Sequence, residues 1–219
     1  MIADRQTKIL QEARDFAYAE LKDETSGHDW WHIVRVTNIA VEIAKQERAD
    51  VFICELAALL HDIADGKLNE SEEVGLQKVE QWLQNHQASE AEIAHVLEIV
   101  STMSFKGDHQ QKNISTLEGK IVQDADRLDA IGAIGIARAM AYSGHIGRPI
   151  HDPDLQPREN MTLEEYRTGK SSAIMHFYEK LLKLKDMMNT AAAQKMAESR
   201  HRFLEEYLDQ FYAEWNAKK

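Results

Sequence analysis

The sequence predicts an all-α fold, and three observations carry that prediction. Apolar residues recur at helical spacing along most of the 219-residue chain. No stretch shows the sustained period-two alternation of a half-buried strand. All three prolines (Pro149, Pro153 and Pro157) fall in one segment, Gly144 to Pro157, which marks a genuine loop.

The elements follow in order. Residues 4–22 read as a first helix, carrying Ile9, Leu10, Ala13, Phe16, Ala17 and Leu21. Ser26 with Asp29 opens a second through a pair resembling a capping box, with the apolar stripe Val36, Ile39, Ala40 and Ile43. Asp50 caps a third, nearly all-apolar helix through Leu60, which places it at the centre of the core. A fourth runs from Ser71 to His86, and Ser89 with Glu92 starts a fifth that reaches Met103. Ser115 with Glu118 starts a sixth, expected to continue through Met140. Beyond the proline loop, Thr162 with Glu165, Ser171 to Met188 and Thr190 to Trp215 make a helical C-terminal third. The expected division is a helical core over residues 1–143 and a C-terminal helical subdomain over 144–219, packed as one compact unit.

Composition narrows the class. The net charge of −11, from 37 acidic against 26 basic side chains, argues against the extended basic surface that a nucleic-acid polymer or an anionic membrane requires. An anionic small molecule remains compatible, because one metal ion and a few lysines can dominate a local field. The single Cys54 excludes an intramolecular disulfide, and its neighbours Ile53 and Leu56 suggest an inert core thiol. The N-terminus leads into polar helix-like sequence and no apolar run approaches the roughly 20 residues of a membrane span. A cytoplasmic protein is therefore expected.

The chemistry lies where ionisable groups enter apolar helix faces. His32 is in register with Val36, Ile39 and Ile43, and so points inward. His61 follows Ala57 by four and Asp62 follows Ala58 by four, and adjacent helical positions about 100° apart can share one broad face. Asp126 shares its face with Val122, Asp129 and Ala133. Two imidazoles and two carboxylates suit a divalent cation such as Mn, Fe, Co, Ni or Zn. The ordinary alternatives are hydrogen-bonded core histidines and an Asp126 paired with Arg127 or Arg138. Asp124 sits about 200° round the helix from Asp126, so both cannot face one ion.

The motifs around these residues resemble those of the HD-domain metal-dependent phosphohydrolases. His28-Asp29-Trp30-Trp31-His32 is similar to the first motif, Leu60-His61-Asp62-Ile63-Ala64-Asp65 to the second, and Asp124-Ala125-Asp126-Arg127-Leu128-Asp129 to the last. His176-Phe177-Tyr178-Glu179-Lys180 is similar to the C-terminal region of a small bacterial branch whose members resemble nucleotide pyrophosphohydrolases. The resemblance implies an HD-domain helical bundle core and one divalent metal held by His32, His61, Asp62 and Asp126, with Mn expected and Co, Ni, Fe, Zn or Mg as alternatives.

Asp65 follows His61 by four and Asp62 by three, which makes it the candidate for taking a proton from water or orienting it, against a salt bridge to Lys67. Lys67, Lys106 and Arg35 are candidate phosphate contacts, and Asp129 a substrate or supporting contact; for each, an ordinary ion pair is the competing reading. His28 is a further supporting candidate. His86, His95 and His109 raise a two-metal reading, against which a single metal is favoured. The expected reaction converts a nucleoside triphosphate to monophosphate and pyrophosphate. A 5′-nucleotidase is the enzymatic rival, and a nucleotide- or metal-binding sensor or a di-iron oxygenase the rivals of other classes. Oligomeric state is left open.

Overall fold

In a computed structural model the chain is all-α, with no strand among the described residues, which are 2–24, 29–65, 68–103, 114–158 and 169–219. The expected starts at Ser26 and at Thr162 with Glu165 lie outside them. No helix among the described residues is long and apolar enough to cross a membrane. The chain forms two compact units, Met1–Ala125 and Asp126–Lys219.

The first unit is built round one apolar helix. It comprises α1 (Ile2–Leu21), α2 (Trp30–Glu47), α3 (Val51–Leu60), a 3₁₀ turn (His61–Ala64), α4 (Glu72–Asn85), α5 (Glu90–Met103) and the start of α6 (Leu117–Asp129). Helix α3 is buried at every position except Val51 and Glu55, and packs against α1, α2 and α5. Such all-round apolarity suits a helix covered on all sides. Cys54 lies fully buried on it, and burial pushes its thiol up to about 12.

Local capping chemistry sets most helix starts. Asp50 accepts from Ile53 N, Ser71 from Val74 N and Thr190 from Ala193 N, each satisfying an otherwise orphaned amide. Ser89 and Glu92 form a capping box: Glu92 Oε2 accepts from Ser89 N at 2.7 Å, and Ser89 Oγ accepts from Glu92 N at 3.4 Å. Two starts differ from expectation. Asp29 is itself the N-cap of α2, accepting from His32 N at 2.7 Å. Thr116, and not Ser115, caps α6, accepting from Gly119 N at 3.2 Å, while the Ser115 hydroxyl donates to Glu98. Glu118 is drawn away to Asp50 N at 3.0 Å.

The second unit carries the end of α6, then α7 (Gly132–His145), α8 (Ala173–Glu179), a 3₁₀ segment (Leu181–Met187) and α9 (Ala191–Trp215). The single helix expected from Ser115 to Met140 is broken after Asp129. Ile131 turns extended and Gly132 takes φ +74°, a left-handed conformation that favours glycine. Gly135 then lies so close to the Ala130 carbonyl that a Cβ there would sit 2.2 Å from its oxygen. Arg158 and Glu179 make a fork-to-fork pair at 2.7 and 3.1 Å, with the Glu179 side chain only 1 % exposed.

Two outcomes follow. Replacing Glu179 with alanine strands Arg158, and chemical denaturation should show a loss of about 3 kcal/mol. In the first unit, Arg5 grips Glu92 with two bonds of 2.6 and 2.9 Å and holds its carboxyl down from 4.5 to about 2. The unfolded chain takes up that proton first as pH falls, so the pair's stabilisation is complete above 4.5 and fades towards 2. Glu92→Gln should lower Tm at neutral pH and flatten the acid limb of a Tm–pH curve across that window.

Candidate metal centre

The candidate ligands lie near three helix ends. His32 is the third residue of α2, and the Asp29 cap fixes the turn that carries it. Its neighbours on the buried face are Val36, Ala40 and Ile43, and its side chain is fully buried. His61 and Asp62 open the 3₁₀ turn where α3 stops, and are 6 % and 5 % exposed. Helix α6, whose residues Leu117 to Ala125 belong to the first unit, carries Asp126 one position further on, half-buried.

These residues converge. Ligand atoms of His32, His61 and Asp126 all lie within 4.8 Å of one another. The Asp62 carboxylate joins them, with its oxygens 3.5 Å from His32 Nε2 and 3.4 Å from His61 Nε2. The two imidazole rings stand edge to face, with centroids 5.4 Å apart. Donors bound at about 2.1 Å to one ion lie roughly 3–4 Å from their neighbours, so these spacings match a coordination sphere.

The protonation pattern of His61 fits a metal as well. Its Nδ1 lies 2.7 Å from the Ala58 carbonyl, and a carbonyl oxygen only accepts, so Nδ1 carries the hydrogen. In the neutral ring Nε2 is then a bare lone pair, buried and without a hydrogen bond among the described residues. Metal-binding histidines are oriented in this way by a bond to the other ring nitrogen. Buried carboxylates and imidazoles are retained when they are paired or bind a metal, and here both acceptors point at the same space.

The remaining candidates fall in several places. Asp65 ends the turn, half-buried, its amide donating to Asp62 O at 3.0 Å. Arg35 lies one turn along α2 from His32, half-buried. Asp129 is 1 % exposed and accepts from Arg138 at 2.8 Å, an ion pair within the second unit. Arg127 donates to the Met187 carbonyl. Asp124 is fully buried on the other face of α6 and is not part of the cluster. Lys67, Lys106, His28 and His109 lie outside the described residues.

Of the histidines that raised a two-metal reading, the two within the described residues are otherwise engaged. His86 donates from Nδ1 to the Trp82 carbonyl at 2.7 Å and stacks on that indole, and His95 faces Glu118 at 3.6 Å. Among the described residues one ligand group is found. His176 belongs to the second unit, where burial, with Lys180 and Arg148 adding to it, pushes its imidazole down to about 3 and keeps it neutral. A cavity of about 440 Å³ in that unit is walled by Tyr178, Tyr212, Trp215, prolines and a single imidazole, His151, with no carboxylate. It offers no ligand set. What the sequence reading passed over is the support of the turn. The Ala58 carbonyl leaves no trace in a sequence, whereas Gly75, a glycine inside the helical pattern of α4, does.

The chain is similar to known proteins over most of its length. The profile of the HD domain family matches residues 30–131. The uncharacterized protein YpgQ of Bacillus subtilis is 39 % identical over 207 residues, covering 94 % of this chain and 93 % of its own. Its crystal structure in complex with ADP superposes with a TM-score of 0.78, covering 96 % of each chain. A Lactobacillus plantarum protein gives a TM-score of 0.82 at 41 % identity, covering 96 % of this chain and 98 % of its own. A HD-superfamily hydrolase from Bacillus thuringiensis gives 0.78 at 47 % identity, covering 97 % and 99 %.

His61→Ala removes one donor, and titration calorimetry should show Mn²⁺ affinity falling at least about 100-fold with helical circular dichroism retained. His95→Ala should leave that affinity unchanged.

Proposed function

The chain belongs to the HD-domain superfamily of metal-dependent phosphohydrolases, and on that premise we propose that its substrate is a nucleoside triphosphate, released as monophosphate and pyrophosphate. The observation that carries the reading is the convergence of His32, His61 and Asp126 within 4.8 Å, with the Asp62 carboxylate beside both imidazoles. The nucleotide is supported by the ADP held in the YpgQ structure, a relative 37 % identical over 96 % of this chain.

In this reading His32, His61, Asp62 and Asp126 hold one divalent cation, with Mn²⁺ the choice that mixed imidazole and carboxylate donors accommodate. Bound there, the cation supplies Lewis acidity towards a phosphoryl oxygen and makes water a better nucleophile at neutral pH. Asp65, at the end of the same turn, accepts the proton of the attacking water or orients it. Arg35 offers a fork that can engage two phosphate oxygens at once, and Lys67 and Lys106 are the proposed point charges for the rest of the phosphate chain. Asp129, held by Arg138, supports the end of α6 that carries Asp126. A di-iron oxygenase would require a second ligand group, and among the described residues the group at His32, His61 and Asp126 is the only one found.

The test uses chelator-stripped protein re-supplied with Mn²⁺ and offered nucleoside mono- and triphosphates, with pyrophosphate and orthophosphate assayed separately. Pyrophosphate from triphosphates, lost in His61→Ala and reduced about 100-fold or more in Asp65→Asn, is the expected result. Orthophosphate from monophosphates would replace this reading with a nucleotidase. Binding without turnover would replace it with a sensor.

A further inference from the structure

The turn that carries His61 and Asp62 is held by a residue that takes part in no proposed chemistry. Helix α3 ends at Leu60, and the chain tightens into a 3₁₀ turn before Asp65 swings out with ψ 130°. A 3₁₀ turn has poorer hydrogen-bond geometry than an α-helix, and a helix end leaves its last carbonyls without acceptor roles. Two carbonyls at this exit, those of Ile63 and Asp65, accept from one atom: Asn69 Nδ2, at 2.8 and 2.9 Å. Both amide hydrogens of one side chain are thereby spent on carbonyls two residues apart. That ties the last turn residues to the extended residue that follows. The Asp65 carbonyl also accepts from Leu68 N at 3.0 Å, which closes the loop from the other side.

Helix α4 lies directly over this lock. A Cβ on Gly75 would stand 2.7 Å from both Cα and O of Ala64, and 2.8 Å from Asn69 Nδ2. Glycine there lets the helix backbone sit against the turn with no side chain between. The amide is therefore fixed by two carbonyls on one side and packed against by a helix on the other.

We propose that Asn69 is a positioning residue that sets the metal affinity of the His61–Asp62 pair and the orientation of Asp65, an inference that rests on the reading of this turn as metal-bearing. Asparagine is specific to the task. Aspartate has the same shape but no N–H, and would place carboxylate oxygens against two carbonyl oxygens. Alanine removes the amide from both carbonyls, leaving Asp65 O only the bond from Leu68 N.

The test compares wild-type, Asn69→Asp, Asn69→Ala and Gly75→Ala proteins, stripped and re-supplied with Mn²⁺. Free Mn²⁺ is read by electron paramagnetic resonance, alongside kcat, KM and Tm. The expected result is a 10- to 100-fold weaker Mn²⁺ affinity in Asn69→Asp, a smaller loss in Asn69→Ala, and a kcat that falls while KM stays within about twofold. Gly75→Ala, acting from the other side of the same amide, should shift affinity in the same direction. If Asn69→Asp does not fold, Asn69→Ala and Gly75→Ala decide. Folded variants that bind Mn²⁺ as the wild type does, whether or not Tm drops, overturn the inference alone. A wild type that binds no Mn²⁺ overturns the metal reading and this inference with it. Metal affinity stays readable even if the nucleotide is the wrong substrate, so the two failures are distinguishable.

Discussion

Placing two imidazoles and a carboxylate out of water beside an apolar helix is the constraint that the first unit answers. His32, His61 and Asp62 are all at most 6 % exposed, and groups of this kind are costly to bury unless something binds or pairs them. The surrounding structure makes that burial tolerable. Helix α3 supplies apolar surface to α1, α2 and α5. Its end supplies the Ala58 carbonyl that fixes the His61 tautomer. The 3₁₀ turn then brings Asp62 round to face both rings. A cation would complete a set of acceptors that otherwise face one another.

Two buried carboxylates of the second unit are handled differently, by pairing with arginine. Asp129 is matched by Arg138, and Glu179 by both the guanidinium and the backbone amide of Arg158. Breaking such a pair leaves one charge stranded, so it specifies geometry more than it adds net stability. The contrast is informative for function. Asp129 and Glu179 are answered by arginines, whereas around His32 and His61 the basic partners are imidazoles. Only the latter arrangement suits a divalent ion.

Much of this was legible in the chain because it is local. Asp50 caps the helix it is expected to cap, and Ser71, Ser89 and Thr190, expected as helix starts, are N-caps there, since an N-cap needs only its own side chain and an amide two or three residues on. The inward register of His32 and the placement of Asp124 on a different face of α6 from Asp126 follow from helical geometry alone. The errors are also instructive. Ser115 and Thr116 are equally good caps by type, and the choice fell to Thr116 because Glu98 holds the Ser115 hydroxyl and Asp50 N holds Glu118. Periodicity ran unbroken through Ala130–Gly132, and the break there comes from the left-handed Gly132 and the close seat of Gly135 on Ala130.

The sequence by itself determined the helical class, most helix starts, and the inward turn of His32, because each depends on residues within a turn or two of one another. Tertiary structure alone decided that Asp62 faces both imidazoles, that His61 presents Nε2, and that Asn69 and Gly75 close over the turn that carries them. Those outcomes depend on contacts between separate elements, or on a backbone carbonyl that every residue possesses. Neither is encoded by the type of the residue at one position.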